Sequence, residues 1–260
     1  MDKFKDAKIL ILAGKGESST FLFNHLNKEF SNLNVVIEEK PDRWKFIKRR
    51  AKRLGWFTAF GQVVFQATIP KMLKLASQKR RNEILEQGVL DNTPIPLEKI
   101  TNVSSVNSKD SISYIKDLNP DLIILNGTRI VSKKVLRAVS CKFINTHLGI
   151  TPLYRGVHGG YWALAKNDSA HCGTTIHLVD EGIDTGGILK QITVQPSPKD
   201  NFTTYPLLQL ASSLPLMIET IYEILDNNSS EIEPPSAQSA LWYHPTIFQY
   251  ISNLILRSVR

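Results

Sequence analysis

The sequence predicts an α/β fold, a mainly parallel sheet covered by helices on both faces. Short apolar runs recur at residues 7–13, 33–37, 121–125 and 142–145. Such runs suit strands that are buried on both sides. Helical patterns precede the last two runs, at Asp110–Leu118 and Ser132–Val139, which is the rhythm of βαβ units. The chain's 260 residues, 42% of them hydrophobic and 22% charged, suffice for one substantial core.

Taken in order, Ala7–Ala13 reads as a buried strand, and Gly14-Lys15-Gly16-Glu17-Ser18 turns it into a helix from about Ser18 to Phe30. The turn looks like a phosphate cradle. Yet Ser19 stands where G-x-G-x-x-G needs its last glycine, and no Gly-Lys-Ser/Thr follows, so a plain strand–helix turn is equally open. Leu33–Ile37 is a second strand. Residues 42–90 then interrupt the rhythm with a helical segment rich in Arg, Lys, Phe and Trp. Later, Thr174–Val179 and Ile188–Val194 read as neighbouring strands that end the sheet in a mixed region. A helix over Tyr205–Leu225 covers them and stops at Asp226–Ser230. The tail, 227–260, opens with a linker containing Pro234-Pro235 and ends, over Leu241–Leu256, in a short extended piece and an apolar helix.

Charge is unevenly spread. Residues 43–81 hold twelve Lys or Arg and no Asp or Glu, so the positive excess behind the net charge of +8 sits there and the rest is close to neutral. That implies an anionic partner: a phosphate, a nucleic acid or an acidic membrane surface. Trp44, Phe46, Ile47, Leu54, Trp56, Phe57 and Phe60 interleave with the cations at helical spacing, which suits either packing or lipid contact. Cys141 and Cys172 are the two cysteines, too few for a disulfide framework; a reducing cytoplasm is the expected location. Neither pairs with histidines at ligand spacing, so no metal site is expected. The N-terminus leads directly into a core strand, so no signal peptide is expected either, and no apolar stretch is long enough to span a bilayer.

The most informative segment is Asn145-Thr146-His147, followed by Pro152, Gly156 and, 37 residues past the histidine, Asp184. Period-2 geometry puts Asn145 and His147 on one face at a strand's end. Asp184 lies in a glycine-containing loop between two strands, where chemistry is usually placed. An amide, an imidazole and a carboxylate can move an acyl group onto an amine: the amide donates to a developing oxyanion, and the other two manage the amine's proton. Alone, Asn-x-His would be a strand end with satisfied polar groups; the added aspartate and turn make the catalytic reading the stronger one. His158 and Gly159-Gly160, ahead of Tyr161-Trp162, fit a helix start and core aromatics better than an acceptor pocket. His171 and His177 read as surface and strand residues.

From Asn145 to Gly187 the chain resembles the 10-formyltetrahydrofolate-dependent formyltransferases, in which Asn-x-His, Pro-x-x-x-Gly and a later Asp recur in this order. The likeness extends to Pro120–Val131 and weakly to Gly14–Gly16. It departs at Leu148-Gly149, where the family commonly has Pro-Ser or Ala-Ser. The resemblance implies a Rossmann-like catalytic domain over 1–226, carrying the 42–90 basic insertion, and a tail over 227–260. It implies catalytic Asn145, His147 and Asp184, and 10-formyltetrahydrofolate as co-substrate. That donor would be clasped by Thr128, Arg129, Ile130 and Val131 on one loop and by Asp180 and Gly182 on the other. The acceptor implied is a small phosphorylated amine, a nucleotide-linked amino sugar first. A tail of 34 residues disfavours methionyl-tRNA as acceptor. The alternatives are hydrolysis of the formyl-folate and a basic non-catalytic adaptor. Peripheral contact with anionic membrane through 43–81 and a homodimer stand as partner expectations; nucleic acid is disfavoured.

Overall fold

The computed structural model describes residues 2–233 and 238–260; the Pro234-Pro235 linker lies outside them. Strand β1 (Ile9–Gly14) is an interior strand of a seven-stranded sheet and shows why the fold closes on both faces. Its Ile9, Ile11 and Ala13 point into one apolar layer, and Leu10 and Leu12 into the other. Full burial of such a side chain stabilises by about 1.5–3 kcal/mol, so alternation commits both faces to helices. Around β1 stand β2 (Leu33–Glu38), β3 (Ile100–Val103), β4 (Leu122–Asn126), β5 (Lys142–His147), β7 (Gly173–Leu178) and β8 (Ile188–Thr193), in the order β3-β2-β1-β4-β5-β7-β8. The first five are parallel; β7 pairs antiparallel with β5 and with β8, which is the expected mixed region.

Helix α1 (Glu17–Leu26) and α8 (Tyr205–Leu225) cover one face. On the other lie α5 (Lys109–Leu118) and α6 (Lys133–Leu136). Two of these are shorter than the sequence predicted. α1 ends at Leu26 because the chain turns to bury Phe30 before β2 begins. α6 is a single turn within the crossover from β4 to β5. Strand β3 escaped the sequence reading, because Ile100-Thr-Asn-Val103 carries only a weak apolar pattern.

The insertion is helical throughout its centre: α2 (Arg43–Leu54), α3 (Trp56–Ala76) and α4 (Gln78–Gln87). Phe65 of α3 packs against Tyr161 of α7 (Gly159–Ala165), Phe202, and Tyr250 of α9 (Ile247–Arg257) in an aromatic core of its own. Thr246 starts α9 with a capping box: its hydroxyl accepts from the Gln249 N–H while the Gln249 side chain accepts from the Thr246 N–H. Before it, β9 (Leu241–Trp242) pairs in parallel with β6 (Arg155–Gly156), and Trp242 stacks on Trp162 at 4.8 Å. Insertion and tail therefore share one core with the loop that follows β5. Among the described residues no helix is long and apolar enough to cross a membrane.

Candidate active site

The parallel strands end along one edge of the sheet, and β5 delivers Asn145 and His147 there on a common face. The antiparallel pairing of β5 with β7 sets His177 directly opposite Asn145. Cross-strand partners lie about 4.5–5.5 Å apart at Cβ, so their polar groups meet. The Asn145 amide donates to Asp184 Oδ1 at 3.4 Å, and its nitrogen lies 3.2 Å from His177 Nε2. The third expected residue, Asp184, reaches the site from the β7–β8 loop with φ +50°, a left-handed conformation that aspartate tolerates. Its other oxygen, Oδ2, lies 3.4 Å from His147 Nδ1 and accepts from the Gly156 N–H at 2.8 Å. Asn145, His147 and Asp184 are therefore assembled from two segments of chain, β5 and the β7–β8 loop.

The surroundings lock this arrangement. His147 Nε2 meets the Tyr154 carbonyl at 2.7 Å, and Arg155 binds the Ile183 carbonyl at 3.0 Å, tying the post-β5 loop to the loop of Asp184. Gly156 has φ +96°, and a Cβ there would meet the Trp242 carbonyl at 2.2 Å; the turn's glycine is thus required by both backbone and tail. His177 Nδ1 contacts the Leu178 carbonyl at 2.6 Å, and its Nε2 faces both the Asn145 amide, at 3.2 Å, and Asp184 Oδ1, at 3.6 Å. Burial alone would raise the Asp184 pKa. The hydrogen bond with His177, the charge of His147 and the Gly156 N–H outweigh it and hold the carboxyl below the usual range. Burial lowers the His147 pKa, against the upward pull of Asp184.

Sequence reasoning placed His177 on a strand but missed its membership of the site. Period-2 alternation in β7 was a partial signal; the register against β5 was not readable. Tyr154 and Arg155 lay within the noted turn without an assigned role.

The two expected donor-binding loops lie side by side. Glu181 forms ion pairs with Lys133 of α6 and with Arg137 just after it, which joins the 180–186 loop to the segment after 127–131. Asp180 shapes its own loop, accepting from the Gly182 N–H at 2.9 Å and the Thr185 hydroxyl at 2.8 Å. Gly182 sits against Thr185 with no room for a Cβ. Thr128 is half-buried, Val131 buried and Ile130 61% exposed, so Ile130 presents an apolar side chain at the rim. Arg129 faces elsewhere: its guanidinium pairs with buried Glu38 at 2.6 Å and donates to the Glu39 carbonyl, and its N–H donates to Glu38 as well. Next to it, Gly14, Lys15, Ser18, Lys40 and Asn126 line a cleft of about 280 Å³ at the ends of β1, β2 and β4. This is the point where strand order reverses, the usual ligand position in open α/β sheets.

Comparison with known proteins agrees with this architecture. Residues 8–207 match the family model described as formyl transferase. A methionyl-tRNA formyltransferase of Agathobacter rectalis is 29% identical over 131 residues, covering 50% of this chain and 42% of that protein; the chain thus spans less than half of that relative's length. A Mycobacterium tuberculosis protein described as a candidate sugar N-formyltransferase superposes with TM-score 0.59 at 14% identity, covering 98% of this chain and 88% of the other. The N-formyltransferase of Helicobacter canadensis, in complex with folinic acid and dTDP-3-aminofucose, superposes with TM-score 0.55 at 17% identity, covering 90% and 70%. These two structures share the fold. With the family model matched over most of its length, the chain belongs to the formyl transferase family.

Proposed function

We propose that the protein is an N-formyltransferase that moves a formyl group from 10-formyltetrahydrofolate to the amino group of a small, phosphorylated acceptor, a nucleotide-linked amino sugar first. The observation that carries this reading is the convergence of Asn145, His147 and Asp184 on one point at the sheet's edge. The folate would supply the formyl carbon. Asn145 has an amide N–H to donate to the oxygen that gains charge as the amine attacks. Neutral His147 accepts the amine's proton at Nδ1, because Nε2 is held on the Tyr154 carbonyl. Asp184, ionised and 3.4 Å away, stabilises the imidazolium so formed, and the proton would pass on to the folate nitrogen as its bond to the formyl carbon breaks and tetrahydrofolate is released.

The residues present fit a folate: an exposed apolar rim at Ile130 and two loops joined through Glu181 suit a flat heterocycle. The binding role runs through backbone and apolar groups, with Arg129 as the brace that holds its loop rather than a ligand-facing charge. The cleft at Gly14 is about two strand spacings, roughly 10 Å, from Asn145. Its wall carries Lys15 and Lys40 together with Glu38 and Glu39; Glu38 is paired with Arg129, and the two lysines suit the phosphate of an acceptor whose amine reaches the trio. Folinic acid and a dTDP-amino sugar in the Helicobacter canadensis complex support the same pairing of donor and acceptor.

The test is incubation with 10-formyltetrahydrofolate and separate acceptors: nucleotide-linked amino sugars, glycinamide ribonucleotide, methionyl-tRNA and water alone. Formylation of an amino-sugar nucleotide is expected. Transfer to methionyl-tRNA alone would replace the acceptor assignment, and release of formate without any acceptor would replace transfer by hydrolysis.

A further inference from the structure

The exposed faces of three helices combine into a surface that the catalytic reading does not use. On α3 the outward row is Trp56, Phe60 and Val63, at i, i+4 and i+7, opposite the row of Ala59, Gln62 and Phe65 that is buried. On α9 the outward row is Phe248, Ile251 and Ile255, opposite buried Tyr250. The two rows join where Phe57 stacks on Phe248, ring centroids 5.5 Å apart and planes at 5°. Trp44, Trp56, Phe57, Phe60, Ile255 and Leu256 are each 65–76% exposed. Scattered surface apolars are ordinary; a joined set of this size marks an interaction face.

Beside it runs α2, which packs against α3. Lys48 and Lys52 continue the row of Trp44, and Arg49 and Arg53 form the adjacent row, all four cations exposed. No acid occurs anywhere in residues 43–81 to neutralise them. Arg53 lies over the Tyr243 ring at 5.3 Å. Large apolar side chains beside cations with no acid in their own segment are what a helix lying in an acidic bilayer surface presents: rings in the acyl boundary, cations among phosphates. A second copy of the chain is a poorer occupant, since a twofold interface sets the patch against itself and brings cation against cation.

We propose that the α2–α3–α9 face docks on an anionic lipid bilayer as a peripheral, non-spanning attachment. This is independent of which amine is formylated. It is tested by flotation of the full chain with phosphatidylglycerol-containing vesicles against vesicles of phosphatidylcholine alone, at low and high salt. Binding to the anionic vesicles only, weakened by salt, is expected. Exchanging Lys48, Arg49, Lys52 and Arg53 for Gln should weaken it at least about tenfold. So should exchanging Trp56, Phe60 and Ile255 for Ser, because these side chains are exposed and their loss leaves the core intact. Circular dichroism and formyl transfer in solution should be unchanged in both variants. Absence of binding at low salt overturns the proposal. So does undiminished binding by the folded apolar variant, which would leave only charge adsorption, and so does a shift from dimer to monomer in that variant, which would make the face a self-interface.

Discussion

His147 faces an oxygen on each side, the Tyr154 carbonyl at Nε2 and the Asp184 carboxylate at Nδ1. In the neutral ring the proton belongs on Nε2, where the 2.7 Å contact requires a donor, and Nδ1 is open to receive one. Burial keeps the pKa below 6.5 while Asp184 pulls it upward, so the base form predominates at neutral pH. Activity that needs this base form rises with pH through the folded pKa and is then flat. The acid limb of kcat/KM should therefore lie below pH 6.5. Asp184→Asn removes the upward pull and should move that limb lower still, while cutting the plateau by about 100-fold or more. Asn145→Ala and His147→Asn should lose a similar factor in folded protein. Steady-state pH profiles with circular dichroism decide this: a limb above 6.5, or near-normal turnover in all three variants, removes His147 from the role of base.

At the scale of elements, the loop from β5 to α7 explains the departure at Leu148-Gly149. A Cβ on Gly149 would meet the Tyr154 carbonyl at 2.3 Å and His147 Nε2 at 2.6 Å. The serine common in the family at this position has no room in this loop. The same loop is anchored by Thr175 of β7, whose hydroxyl donates to the Gly149 carbonyl at 2.8 Å and accepts from the Thr151 N–H. Gly149→Ser should therefore push the Tyr154 carbonyl off His147, costing roughly 1–3 kcal/mol of stability as overpacking does. Transfer should drop by at least about tenfold, since the ring loses its fixed tautomer. Urea unfolding and steady-state rates check both effects; wild-type values would mean the loop relaxes freely and the Tyr154 contact is dispensable. The sequence exposed this site as a departure from a pattern, but the pattern alone could not say which atoms forbid the serine.

Across the whole molecule, the insertion, the tail and the post-β5 loop close on the pair His158 and His244, whose ring nitrogens are 3.0 Å apart. Burial and the neighbouring His244 push His158 down to about 3, and burial with the charge of Arg50 pushes His244 down to about 4. Both pKa values fall on folding, so below about 6.5 the unfolded chain takes up protons that the native state refuses. Stability is present above that pH and is lost as pH falls towards 4, at up to about 1.4 kcal/mol per pH unit for each histidine. In His244→Gln this slope between pH 6.5 and 4.5 should flatten, although His147 and His25, also lowered by burial, keep part of it. Urea midpoints across that range measure it, and an unchanged slope would show that the pair does not titrate in the unfolding transition. By itself the sequence determined the βαβ rhythm, the helical basic insertion and the polar trio, because burial on both faces leaves apolar runs and the Asn-x-His spacing is local to one strand. Only the tertiary structure decided that His177 joins the trio, that Arg129 braces Glu38, and that the tail's β9 supports Gly156. These contacts join residues far apart in the chain through strand register and loop closure; periodicity records which face is buried and carries no record of what it is buried against.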